Sequence, residues 1–237
     1  KLTLDTNLQF LIREELIKVQ EIFKNIVSAS ILMKVNSGEI LSMISLPDFN
    51  LNKREEIKDV NYINRVTKGV YEFGSVFKTF TFASALNEGV IEPDTEFKDL
   101  PKKITCAGKP IGEYDNKIPS DLTAEQILIR SGNIGSVRIG QKIGKEKLKA
   151  FLQDIGVLNK IEFDIEEVGE PIPIRWGKCK LATASFGHGI TTTLLQLAKG
   201  YSIISNGGYN IRPTLIKRAS IKNKKERIIK KDVSQKI

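Results

Sequence analysis

The sequence predicts an α+β fold, and three observations support this. The first 26 residues carry apolar side chains at helical spacing. Two short apolar runs around an Asn-Ser-Gly turn then predict a β-hairpin. Mostly helical patterns follow, and a hairpin followed by helices is typical of an α+β fold with a helical insertion. With 237 residues and 41% hydrophobic side chains, the chain is long enough to build a sizeable core.

The opening segment predicts a capped amphipathic helix. Asp5 or Thr6 can accept hydrogen bonds from the unpaired N–H groups at its start. The apolar residues that share one face are Leu8, Leu11, Ile12, Leu16, Val19, Phe23 and Ile26. The hairpin follows at about residues 29–46, and Gly38 can supply the positive φ that its turn needs.

Helical patterns dominate the middle of the chain. Residues 75–88 are apolar on nearly all sides, which predicts a helix inside a domain. A helical subdomain is predicted at about residues 90–160, where Thr123 and Gln126 form a capping box. A further helix is predicted from Thr191 to Ser205.

The net charge of +9 invites a nucleic-acid interpretation, but its position argues against one. Residues 217–237 hold nine Lys or Arg against Glu226 and Asp232, a net of +7, so the remaining chain carries only +2. No aromatic residue lies among these cations to stack on bases. We interpret this basic C-terminal segment as a solvated charge run and expect no nucleic-acid partner.

The first candidate for chemistry is Ser75-Val76-Phe77-Lys78. It places a hydroxyl and an amine three residues apart, on one face of a helix. Burial lowers the pKa of a lysine, so Lys78 could accept the proton of Ser75. Gly74, immediately before the serine, would let a substrate carbonyl approach closely.

The second candidate is Ser131-Gly132-Asn133, in a break between two predicted helices. Either short motif alone is common by chance. If the two meet in space, Ser131 could relay a proton to the leaving group. Asn133 offers both a donor and an acceptor to a substrate amide.

The chain resembles the class B penicillin-binding proteins, in which S-x-x-K and S-x-N elements occur together. The segments that carry the resemblance cover most of residues 2–218 in order: LTLDTNLQ, SGEILSMISLPDFN, NRVTKGVYEFGSVFK, SGNIG, ATASFGHGITTTLLQLAKGYSIISNGG and RPTLIKR. SFGHGI looks more like the division-specific (septal) transpeptidases than the elongation-specific ones. The implied fold is the penicillin-binding and serine β-lactamase-like transpeptidase fold: an antiparallel sheet flanked by helices, plus a helical subdomain.

The resemblance implies a peptidoglycan D,D-transpeptidase that crosslinks stem peptides during cell division. Ser75 would be the acylated nucleophile and Lys78 the general base, with Ser131 and Asn133 completing the second motif. The partners would be the D-Ala-D-Ala end of a stem peptide, β-lactam antibiotics, and membrane-embedded division proteins including a glycosyltransferase. No cofactor or metal is implied. The full protein would be anchored in the bacterial inner membrane with its catalytic domain in the periplasm.

The chain departs from this family in one respect: it contains no K-[ST]-G, the third motif of the family. We therefore expect residues 1–237 to be a partial transpeptidase domain that acylates poorly. Without the later sheet strands, the apolar faces of Ser30–Val35 and Ile40–Ser45 are expected to lack partners. The membrane anchor and pedestal domain of the family are not recognised in it either.

Three further residues and three alternatives complete the sequence-based predictions. Cys106 and Cys179 could pair in an oxidising compartment, but unpaired burial is the favoured interpretation. His188, the single histidine, is interpreted as structural or cleft-lining. The alternatives are a non-catalytic scaffold or binding module of the division machinery, a serine β-lactamase or β-lactam sensor of the same fold, and a basic nucleic-acid-binding module.

Overall fold

The computed structural model describes residues 1–50, 52–53, 55, 59–217 and 226–237. Helix α1 spans Thr6–Phe23, and the carboxylate of Asp5 accepts the N–H groups of Asn7 and Leu8 at its start. The predicted helix and its cap are confirmed, with Asp5 as the capping residue. No residue of α1 is buried, so its apolar face stays largely exposed.

The predicted hairpin is also confirmed. Strand β1 (Ser28–Met33) pairs antiparallel with β2 (Ile40–Leu46), and Gly38 in the turn has a φ of +74°. The expectation that the apolar faces of both strands lack partners is wrong, because both pack against the rest of the fold. The side chains of β2 are buried at every second position, and those of Ile40 and β1 pack in a cluster with Leu195. The side chains of β1 are only partly buried, as is usual for an edge strand.

The remaining elements follow in chain order. They are α2 (Asp59–Tyr62), β3 (Val70–Glu72), a 3₁₀ turn (Gly74–Phe77), α3 (Lys78–Asn87), β4 (Glu96–Phe97), β5 (Lys103–Cys106), β6 (Lys109–Gly112), β7 (Leu122–Thr123), α4 (Ala124–Ile129), α5 (Asn133–Ile143), α6 (Lys145–Asp154), α7 (Lys180–Ala184), β8 (Thr191–Thr193), α8 (Leu194–Ser205) and α9 (Lys231–Lys236). The antiparallel pairs beyond the hairpin are β3–β8, β4–β7 and β5–β6.

Helix α3 lies at the centre of the larger core. Eight of its ten residues are buried, and it packs against α5, α6 and α9. The capping box predicted at Thr123 and Gln126 opens α4, and the same arrangement of Thr193 and Gln196 opens α8. Mutually satisfied caps of this kind fix where each helix begins.

The short β5–β6 hairpin within the predicted helical subdomain was not predicted. Its two-residue turn, Ala107-Gly108, has positive φ at both positions, which suits the twist of paired strands. Cys106 at the end of β5 forms a disulfide with Cys179, just before α7. The favoured interpretation of unpaired cysteines is therefore wrong, because folding brings together two thiols that are 73 residues apart in the chain.

The basic C-terminal segment is described only in part. Residues 218–225 lie outside the described residues, and the segment ends in α9, where Val233 is buried. In the parts of the chain that the structure describes, no helix has the length and apolarity needed to cross a membrane.

Candidate active site

The structure places Ser75 on the 3₁₀ turn and Lys78 at the first position of α3. A 3₁₀ turn has three residues per turn, so side chains at i and i+3 lie directly above one another. Ser75 is exposed, whereas Lys78 is only 1% exposed. Gly74 opens the turn with a φ of +59°, a backbone conformation that glycine adopts without strain.

Contacts from two later helices hold this turn in place. The hydroxyl of Tyr201 on α8 donates to the carbonyl oxygen of Val76, at 2.8 Å. Thr81 donates to the carbonyl oxygen of Ser185, at the end of α7, at 2.9 Å. These contacts, together with the burial of Phe80, anchor the turn and the start of α3 in the core.

The ammonium of Lys78 reaches across to the second motif. Its Nζ donates to the Ser131 hydroxyl at 2.9 Å, to the Asn133 Oδ1 at 2.8 Å and to the carbonyl oxygen of Ser131. An ammonium has three donors, and here all three have acceptors. Ser131 adopts a left-handed backbone with a φ of +54°, which turns the chain between α4 and α5. The structure thus brings Lys78, Ser131 and Asn133 together, beside the turn that carries Ser75.

Burial lowers the pKa of Lys78 to about 8, and the negative charge of Glu113 partly offsets this effect. A lysine with a pKa of about 8 is partly uncharged at physiological pH, so its amine can accept a proton. The arrangement can therefore activate a neighbouring hydroxyl for attack on a carbonyl and pass the proton on through Ser131.

The amide of Asn133 is more constrained than the sequence suggested. Its Nδ2 donates to the carbonyl oxygen of Gly112 at 2.9 Å, while its Oδ1 accepts from Lys78. These two contacts fix the orientation of the amide. One N–H and one lone pair of the side chain remain for a substrate.

The Ser-Phe-Gly-His-Gly segment closes the other side of the site. A Cβ added to Gly187 would lie 1.9 Å from the carbonyl oxygen of Gly74, so only glycine allows this close approach. Next to it, His188 Nδ1 lies 2.8 Å from Glu72 Oε1.

A cleft of about 540 Å³ lies between this segment and the β5–β6 hairpin. Asn133 and His188 both line it, so the cleft-lining position considered for the histidine is the one observed. The Cys106–Cys179 disulfide forms part of its wall. Sequence reasoning missed the disulfide wall and Glu113, because both depend on contacts between distant parts of the chain.

Comparisons with known proteins show which family the chain belongs to. The penicillin binding protein transpeptidase domain family matches residues 29–237. A probable peptidoglycan D,D-transpeptidase FtsI of Caulobacter vibrioides is 30% identical over 219 residues, which are 92% of this chain and 37% of that protein. A probable peptidoglycan D,D-transpeptidase PenA of Neisseria flavescens is 29% identical over 241 residues, covering 100% of this chain and 58% of the relative. The chain thus spans between about a third and three fifths of the length of these relatives.

Solved structures show the same fold. The apo transpeptidase domain of penicillin-binding protein 3 from Burkholderia pseudomallei superposes with a TM-score of 0.86 at 23% identity, covering 99% of this chain and 67% of the other. A structure described as a peptidoglycan glycosyltransferase from Burkholderia ambifaria gives a TM-score of 0.88, also at 23% identity, covering 100% and 71%. The family match takes in most of the residues, the fold agrees, and the chain therefore belongs to the penicillin-binding protein transpeptidase domain family.

Proposed function

We propose that this chain carries the acylation site of a peptidoglycan D,D-transpeptidase of the division-specific type. The observation that supports this best is the contact of the buried Lys78 ammonium with Ser131 and Asn133, one turn after the exposed Ser75. The FtsI and PenA relatives bear the names of such enzymes.

In the proposed reaction, Oγ of Ser75 attacks the carbonyl carbon between the two terminal D-Ala residues of a stem peptide. The neutral amine of Lys78 takes the hydroxyl proton. The peptide bond breaks, and the terminal D-Ala leaves with a proton delivered through Ser131. The amine of a neighbouring stem then attacks the acyl-enzyme and gives up a proton to Lys78. The ester bond breaks, the crosslink forms, and Ser75 Oγ takes that proton back. A β-lactam would acylate the same oxygen, and the resulting adduct would be released only slowly.

The same proposal includes the cellular setting. The full protein would be anchored in the inner membrane with its catalytic domain in the periplasm, where a disulfide persists. Its partners there would be membrane-embedded division proteins, among them a glycosyltransferase that supplies the glycan strands.

A fluorescent penicillin tests the proposal. We expect a covalent adduct that mass spectrometry maps to Ser75, that is absent in Ser75→Ala and that is kept in Ser120→Ala, an exposed serine away from the site. Because no K-[ST]-G is present to supply an oxyanion donor, labelling is expected to be about 100- to 1,000-fold slower than in proteins with all three motifs. An adduct on another residue, or labelling of Ser75→Ala, would overturn the proposal.

The other candidate is a non-catalytic module of the division machinery. The two are separated by long incubation at high penicillin concentration. A slow but saturating adduct at Ser75 supports the transpeptidase site, and complete absence of an adduct supports the scaffold. Rapid hydrolysis of the penicillin would instead indicate a β-lactamase.

A further inference from the structure

Glu113, immediately after β6, contacts the second motif directly. Its Oε2 accepts the backbone N–H of Asn133 at 2.6 Å, and its Oε1 accepts that of Ile134 at 2.8 Å. These are the first two residues of α5, whose N-cap, Gly132, has no side chain to pair with them. Glu113 therefore acts as the cap of α5 from a different part of the chain, and a carboxylate is the group that a helix N-terminus favours.

The residues on either side of Glu113 hold the same segment. The carbonyl oxygen of Gly112 accepts from the Asn133 side chain at 2.9 Å. The hydroxyl of Tyr114 donates to the carbonyl oxygen of Arg130 at 3.1 Å. Three consecutive residues thus fix the chain from residue 130 to residue 134, and the middle one supplies the two charge-assisted contacts, which are the strongest of the set.

Glu113 also acts on Lys78 through its charge. Among the described residues, it is the charged group that influences the Lys78 ammonium, and it does so in the direction opposite to burial. The same carboxylate therefore has two separable effects on the site. One is mechanical, on the position of Ser131 and Asn133, and the other is electrostatic, on the proton of Lys78.

We propose that Glu113 is a positioning residue of this active site, whose carboxylate holds the Ser131–Asn133 segment against Lys78. The proposal rests on the proposed function for its catalytic meaning. It predicts that removing the charge of Glu113 has two opposed effects on the acylation rate. Lys78 loses its proton more readily, which favours acylation, while the Ser131–Asn133 segment loses an anchor, which slows it.

Two substitutions separate the two effects. Glu113→Gln keeps the length of the side chain but removes its charge and one of its two acceptor oxygens. Glu113→Asp keeps the charge but is one methylene shorter, so it cannot reach both N–H groups from the same backbone position. Glu125→Gln is the matched control, since Glu125 is an exposed carboxylate in the first turn of the neighbouring helix α4.

The acylation rate of Ser75 by a fluorescent penicillin, measured against pH, provides the first readout. In Glu113→Gln the midpoint of the pH profile is expected at lower pH than in the unmodified protein, with a lower maximal rate. In Glu113→Asp the midpoint stays and the maximal rate falls, by up to on the order of 100-fold for a misplacement of about 1 Å. A loss of stability alone would move neither midpoint, and an unchanged profile in both variants would overturn the proposal.

Two further readouts do not depend on acylation. Hydrogen exchange of the Asn133 and Ile134 amides should be faster in both variants, while exchange later in α5 stays the same. An NMR titration of the Lys78 Cε signal, assigned with Lys78→Arg, should show a lower pKa in Glu113→Gln and an unshifted one in Glu125→Gln. If the unmodified protein never acylates, the proposed function fails, and these two measurements still decide the role of Glu113.

Discussion

Helices α1 and α3 are both predicted from apolar residues, α1 from a single apolar face and α3 from apolar residues on nearly all sides, and they occupy opposite environments. Helix α1 has 18 residues and none is buried, and Phe10 and Phe23 are 67% and 74% exposed. Helix α3 has ten residues, of which eight are buried, including Phe80 at 0% exposure. Apolar spacing predicts that a helix has an apolar face. Apolar residues on nearly all sides predict burial, as found for α3, whereas a single apolar face such as that of α1 leaves open whether another element covers it.

The same contrast appears in two lysines. Lys18 on α1 donates to Glu15 at 2.6 Å, and that hydrogen bond raises its pKa. Lys78 on α3 is removed from water, and burial lowers its pKa to about 8. One residue type thus becomes a solvated cation on one helix and a potential base on the other. The surroundings of the helix decide which.

Truncating one aromatic ring on each helix tests the contrast most strongly. Phe80→Ala is expected to lower the free energy of unfolding by about 3–5 kcal/mol, because it leaves a cavity beside Phe77 and Tyr201. Phe23→Ala is the control and should change it by about 0.5 kcal/mol or less. Urea unfolding followed by circular dichroism measures both. Equal losses would contradict the difference in packing described here.

Removing the disulfide tests whether the larger core around α3 depends on a covalent link. Cys106→Ser combined with Cys179→Ser should lower the free energy of unfolding by about 2–4 kcal/mol, since the bond closes a long loop. Reduction of the unmodified protein should cause a similar loss, and reductant should not affect the double variant. Unchanged unfolding in all three cases would show that packing alone fixes this region.

The buried lysine predicts a pH dependence of stability. Between pH 8 and 10.5 the unfolded chain keeps the Lys78 proton while the folded chain releases it, so stability rises with pH in this window. One such group contributes a slope of up to about 1.4 kcal/mol per pH unit. Lys78→Met should reduce this rise, and Lys199, whose pKa burial also lowers, accounts for part of what remains.

Lys18→Met is the control for that measurement. The pKa of Lys18 is raised on folding, so its contribution is present at lower pH and is lost as the pH rises through the folded pKa. Its removal should leave the rise due to Lys78 intact. The free energy of unfolding of the three proteins is measured between pH 7.5 and 10.5. The prediction is refuted if it rises with pH as steeply in Lys78→Met as in the unmodified protein.

The smallest effect is expected at the surface of the cleft. His188 and Glu72 are 66% and 41% exposed, and exposed pairs contribute about 1 kcal/mol or less. A double-mutant cycle of Glu72→Gln and His188→Ala, followed by thermal unfolding, should give a coupling of about 0.5 kcal/mol. A coupling energy above about 2 kcal/mol between the two side chains would contradict their exposed position.

The features that were predicted correctly depend on local sequence. Asp5 caps α1, Gly38 turns the hairpin, and Thr123 with Gln126 opens α4, because each of these signals involves residues within a few positions of one another. The β5–β6 hairpin was missed because its strands are four residues each and mostly exposed, so they show little apolar alternation. Its Ala-Gly turn is a weaker signal than Asn-Gly.

The candidate site was predictable only as separate pieces. Ser75 with Lys78 and Ser131 with Asn133 stood out as short motifs, and resemblance to a family suggested that they meet. The remaining parts, Glu113 and the disulfide wall, act across long stretches of chain. A carboxylate at residue 113 has no local feature that distinguishes it from any other surface acid.

The pairing of β3 with β8 has a consequence for the time course of synthesis. It joins Val70–Glu72 to Thr191–Thr193, so about 120 residues must be made between the two strands. At about 5–20 residues per second, the ribosome needs roughly 6–24 s to do so. Throughout that interval the nascent turn around Ser75 lacks the strand and the α8 contacts that later hold it. The nucleophile is therefore made before the elements that hold it, and the turn around Ser75 is held in place only once Thr191–Thr193 and α8 have been made and have packed against it.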